Sequence, residues 1–131
     1  MHRISTSLLA TTLLAAFVFT APALAQSDNP YNGKWKINFD SKNGTDLEGA
    51  ISIDGAKGTW DMATRARRNP CIGMAYPITV QKATADELTF TVNRAVTLVG
   101  CTDSTYTFKK VDDKTLKGEV DEGRAAVMTK K

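Results

Sequence analysis

Apolar side chains recur at every second position along most of this chain, in short runs, and no run keeps the spacing of an amphipathic helix. Trp35, Ile37 and Phe39 alternate with Lys34, Lys36, Asn38 and Asp40. Leu47, Ile51 and Ile53 share one face of the next run, opposite Glu48, Ser52 and Asp54. Trp60 with Met62, then Tyr76, Ile78 and Val80, then Leu88, Phe90 and Val92 continue the pattern. Tyr106 with Phe108, Leu116 with Val120, and a short run from Ala125 to Thr129 complete it. A period of two is that of a strand with one face buried and one in water. Asp54-Gly55 has the chemistry of a tight turn. Pro77 lacks a backbone N–H, which places the start of its strand at an edge or a bend. The expectation is an all-β domain of about eight antiparallel strands.

Residues 80–92 and 108–120 echo one another at an offset of 28, each with an apolar start, a lysine two residues on, an acidic turn, then Leu and Val. Two consecutive hairpins solving the same turn alike account for the echo without a true repeat. Short connections between consecutive strands favour an up-and-down barrel, which removes exposed edges by closing on itself. A Greek-key β-sandwich is the alternative. Gly33-Lys34-Trp35, at the start of the first strand, resembles the G-x-W signature of the calycin barrels, the lipocalin and avidin groups. The resemblance implies a barrel that binds a ligand or a partner. It also implies a basic residue near the last strand packed across the tryptophan, a role for which Arg124 is placed. Gly58-Thr59-Trp60 repeats the tripeptide, and both tryptophans also suit the core of a small β domain.

Met1 to Ala25 reads as a secretory leader: Arg3, an apolar stretch from Leu8 to Phe19, and Ala23-Leu24-Ala25 as a small-x-small cleavage site. Residues 26–131 then make one domain, and no stretch of them approaches the roughly 20 apolar residues of a spanning helix. The net charge of +3 falls to +2 with Arg3 gone, too little for a nucleic-acid binder driven by charge. The single histidine, His2, lies in the leader. A chain without histidine lacks the usual general base near neutrality and the commonest ligand for zinc, copper and nickel. Ser-His and Cys-His nucleophile pairs go with it, and paired carboxylates are the one remaining route to catalysis, so a non-enzyme is expected. Cys71 and Cys101 form no C-x-x-C motif, and in an exported chain they are expected to pair. On the chain-entropy account such a link contributes roughly 3–4 kcal/mol.

Connections of an up-and-down barrel alternate between its ends. One end receives 41–46, 63–75, 94–104 and 121–123; the other receives 54–57, 83–87, 111–114 and the N-terminal arm. Cys71 and Cys101 fall in loops of the same end, as a disulfide requires. That end carries the long loops, where binding usually resides. Arg65, Arg67, Arg68, Arg94 and Arg124 lie in or beside them, and the planar guanidinium suits carboxylates and phosphates. These arginines, with Tyr76, are the candidates to face an anionic ligand or an acidic partner. Asp40, Asp46, Glu48, Asp61, Asp103, Asp121 and Glu122 are close by, so local ion pairing is the competing explanation.

The short turns carry Asp54, Asp86, Glu87, Asp112 and Asp113 without an arginine. Oxygen-only ligation would restrict them to hard cations such as Mn²⁺ or Ca²⁺, and their spacing matches no EF-hand. The sequence therefore points first to a secreted or periplasmic binding protein that needs no cofactor and takes a small anionic ligand or an extracytoplasmic protein. The alternatives are a hard-metal scavenger and an inhibitor-type module that blocks another enzyme through the disulfide-held loop 63–75.

Overall fold

The computed structural model describes residues 28–40, 46–63 and 70–131. The leader read at residues 1–25 lies outside these. Eight strands follow one another: β1 (Gly33–Asp40), β2 (Asp46–Asp54), β3 (Lys57–Met62), β4 (Ala75–Ala83), β5 (Glu87–Val92), β6 (Ser104–Asp112), β7 (Thr115–Val120) and β8 (Arg124–Lys130). Each pairs antiparallel with its neighbours in sequence, and β8 returns to β1, so the sheet closes as an up-and-down barrel. The closing seam runs from Trp35 opposite Lys130 to Phe39 opposite Ala126. The sandwich alternative is excluded by this closure.

The period-two pattern is the reason the barrel has an inside. Ile37, Leu88, Phe90, Val92, Phe108 and Met128 are fully buried, while their neighbours in the strands face outward. Eight strands enclose only enough room for side chains, and here aromatic rings fill it. Phe90 and Phe108 stack with centroids 5.8 Å apart, and Trp60 stacks on Tyr106 at 5.4 Å. Gly118, opposite Phe108, leaves space for that ring: a Cβ there would collide with the Thr107 carbonyl and the Phe108 ring. The outer wall is correspondingly polar, with Thr89 bonded to Thr107 and Thr91 to Thr105 across β5 and β6.

Pro77 does not mark an edge, because a closed barrel has none. Its carbonyl accepts the Asn93 N–H at 2.9 Å, but it has no N–H to return, and the β4–β5 ladder stops one pair earlier at Ile78–Val92. The proline ends a ladder where β5 itself ends. The sequence echo has a physical basis too. Leu88 and Leu116, like Val92 and Val120, occupy matching inward positions of successive hairpins. Lys82 pairs with Glu87 at 3.2 Å and Lys110 with Asp113 at 3.1 Å, each lysine neutralising an acid of its own hairpin.

One barrel end is plugged by the arm before β1. Asn29 donates to the Gly55 carbonyl and Asn32 accepts from the Gly55 N–H, both at 2.7 Å. Tyr31 is buried, donates its hydroxyl to the Thr84 carbonyl, and accepts the Trp35 indole N–H on its own carbonyl at 2.8 Å. The basic residue over Trp35 is Lys130, 5.7 Å from the ring centroid, and not Arg124. Register explains the correction: Trp35 enters β1 at the plugged end, opposite Lys130, whereas Arg124 begins β8 at the far end and lies over Phe39 at 5.1 Å.

Candidate functional site

The opposite end, where β1, β3, β5 and β7 finish, is held by a covalent link. Cys71 and Cys101 form a disulfide with Cα atoms 5.7 Å apart, joining the β3–β4 and β5–β6 connections. Beneath it, a cavity of about 50 Å³ opens between Phe39, Trp60, Met62, Tyr76, Tyr106 and Arg94. The residues around its mouth are mainly apolar, and the charges set among them are Arg94, Arg124 and Asp121.

Arg94 stands two residues beyond Val92, the end of β5, and so on the inward side over the top of the barrel, and only 12% of its side chain is exposed. Its guanidinium lies 6.0 Å from the Trp60 ring centroid and 5.8 Å from that of Tyr76. It donates to the Ser104 hydroxyl at 2.8 Å, the Tyr106 hydroxyl at 3.2 Å and the Thr102 carbonyl at 3.4 Å. Ser104 and Tyr106 can both be reached because they are two residues apart on β6 and so share a face. Among the described residues one carboxylate is within ion-pair distance, that of Asp121, at 4.0 Å and half exposed. Burial pushes the Tyr106 phenol above its ordinary value, with the Arg94 hydrogen bond opposing the shift. The result is a cation held over aromatic faces by neutral oxygens, with a single distant counter-ion.

Asp121 belongs to the tight β7–β8 turn, Asp121–Gly123, in which Glu122 (φ 64°) and Gly123 (φ 71°) are both left-handed. Glycine adopts that region freely; a glutamate there costs of order 1 kcal/mol. The Asp121 carbonyl accepts the Arg124 Nε–H at 2.9 Å, which binds the second arginine to the same turn.

Of the residues expected to meet a ligand, Tyr76, Arg94 and Arg124 converge on this mouth. Arg65, Arg67 and Arg68 lie outside the described residues, as does the stretch 64–69 of the loop 63–75 expected of an inhibitor. Tyr76 has its ring in the core and its hydroxyl committed to the Cys71 carbonyl at 2.9 Å. It serves as the wall behind Arg94. Trp60, Ser104, Tyr106 and Asp121 were not anticipated as site residues. The alternating Ser104-Thr105-Tyr106 is a signal for two of them, since it sets two hydroxyls on one face near an arginine.

The acidic turns are differently occupied. Glu87 and Asp113 are paired with Lys82 and Lys110, and Asp112 accepts the Lys114 backbone N–H at 2.9 Å, a bond that lowers its pKa. Asp54 is exposed in the β2–β3 turn, and Asp86 is exposed beside Glu87 in the β4–β5 turn. Among the described residues no three histidine, cysteine or acidic side chains gather to hold a metal ion. Nor is any helix among them long and apolar enough to cross a membrane. No protein family, curated protein or solved structure matches the chain.

Proposed function

We propose that this chain is a non-catalytic binding protein of an oxidising, extracytoplasmic compartment, and that its long-loop mouth takes an anionic group on Arg94. The observation that carries the reading is the state of that arginine: largely buried, backed by Trp60 and Tyr76, and only loosely matched by Asp121. A guanidinium so desolvated interacts more strongly with an incoming anion than one in water. Arg124 adds a second positive charge at the rim. The leader-like residues 1–25 and the Cys71–Cys101 disulfide support the compartment. The reading requires no metal or cofactor.

Trp60 is a built-in reporter, because its ring adjoins the guanidinium. Titration with acetate and with inorganic phosphate is expected to change tryptophan emission saturably. Arg94→Met should abolish the response, and Lys130→Met, at the other end, should preserve it. No saturable response, or an equal one in Arg94→Met, would overturn the proposal.

A further inference from the structure

The cavity above Arg94 is far smaller than the roughly 300–1,000 Å³ of a site that engulfs a small molecule. At about 50 Å³ it has room for a head group such as a carboxylate and for little else. Whatever else a ligand contributes must therefore lie on the rim. Among the described residues the rim carries four exposed apolar side chains: Ile72 (36% exposed) and Met74 (39%) stand on the β3–β4 connection, Val96 (77%) and Val99 (97%) on the β5–β6 connection. Only one other large apolar side chain, Val111, is as exposed among the described residues. Water-facing valines at 77% and 97% gain nothing for the fold, since their burial is left undone.

The β5–β6 part of the rim is also built to keep its shape. The Arg94 carbonyl accepts the N–H groups of Thr97 at 3.0 Å and Leu98 at 2.9 Å, and the Leu98 carbonyl accepts that of Cys101 at 3.2 Å. The Asp103 carboxylate accepts the Ala95 N–H at 2.9 Å. The disulfide ties this loop to the one bearing Ile72 and Met74. Ordering the β5–β6 connection before binding removes a cost that a flexible loop would incur.

We infer that the mouth recognises a polypeptide segment in which an Asp or Glu side chain enters toward Arg94 while apolar residues on both sides of it cover Ile72, Met74, Val96 and Val99. This rests on the anion-binding reading above and names its ligand. The charge of Arg94 selects the acid. Apolar groups carried by two separate loops match two flanks of a peptide better than the single tail of a fatty acid.

The test uses three capped pentapeptides, Val-Leu-Asp-Leu-Val, Val-Leu-Asn-Leu-Val and Ser-Ser-Asp-Ser-Ser, with decanoate as the lipid-like comparator, on the full secreted chain. The first peptide is expected to bind at least about ten-fold tighter than the other three probes. Val96→Ser combined with Val99→Ser should weaken it by about ten-fold while leaving the acetate response of Trp60 intact. These valines are exposed, so the variant keeps its fold. Equal affinity for the two aspartate peptides, tighter binding of decanoate, or no effect of the double substitution would each overturn the inference while the acetate response stands. Loss of that response in the parent protein would remove the underlying reading as well.

Discussion

The two ends of this barrel are built from the same strands and finished in opposite ways. At the plugged end Trp35 has its indole N–H satisfied, Tyr31 is buried on it, and Lys130 covers the ring from outside. The arm seals that end through backbone-directed bonds to the β2–β3 and β4–β5 turns. At the mouth Trp60 is stacked just as closely, but the group above it is Arg94, and the loops beyond expose valines. A tryptophan under a lysine on the surface is a closed structural layer. A tryptophan under a mostly buried arginine, whose ion-pair partner among the described residues is one half-exposed carboxylate at 4.0 Å, is the layer proposed to take an anion. The contrast separates residues whose removal should cost stability from those whose removal should cost binding.

Substitution at matched positions tests that separation most sharply. Trp35→Ala empties a large buried site and is expected to destabilise the domain by about 3–5 kcal/mol, much of the margin of a domain this size. Arg94→Met keeps most of the packing and is expected to cost about 2 kcal/mol, chiefly from hydrogen bonds to Ser104 and Tyr106. Urea unfolding followed by far-UV circular dichroism measures both. An Arg94→Met variant as unstable as Trp35→Ala would make the arginine a structural strut and erase the functional contrast between the ends.

The disulfide belongs to the mouth alone, so its removal should affect the ends unequally. Cys71→Ser with Cys101→Ser is expected to lower stability by about 2–4 kcal/mol, since the link constrains the unfolded chain. It should also weaken the peptide binding proposed for the rim, while hydrogen exchange at Tyr31 and Trp35 changes only through the global loss. Selective loosening of the plugged end instead would show that the loops do not fold as an independent cap.

Much of this architecture could be read from the sequence because a strand writes its burial into alternate residues. Trp35, Ile37 and Phe39 announce β1, and the order of connections alone assigns Cys71 and Cys101 to one end. What escaped was set by relations between distant strands. The choice of Lys130 over Arg124 for Trp35 depends on the β1–β8 register, which no local pattern reports. Tyr31 lies before the first strand and has no periodic partner, so its burial against Trp35 and Thr84 was invisible. Arg94 was singled out as one arginine of several. Its distinction, burial over Trp60 and Tyr76, arises only when β3, β4 and β6 meet around it.

The smallest effect expected is also shared by both ends. Tyr31 and Tyr106 each have a phenol pKa raised above 10.0, with burial as the leading cause in both. A raised pKa means the folded chain holds these protons more tightly than the unfolded one. The associated stability is complete below pH 10 and is lost as the pH climbs through that value toward the folded-state pKa. Tyr106→Phe should cost about 1 kcal/mol at neutral pH through its bond to Arg94, and it should flatten the alkaline decline. Tyr31→Phe should flatten it as well, yet leave the acetate response of Trp60 unchanged because it acts at the plugged end. Unfolding midpoints measured from pH 8 to beyond 10 separate the two tyrosines. If Tyr106→Phe left the slope untouched, its phenol would not be the buried neighbour of Arg94 on which the electrostatics of the mouth depend.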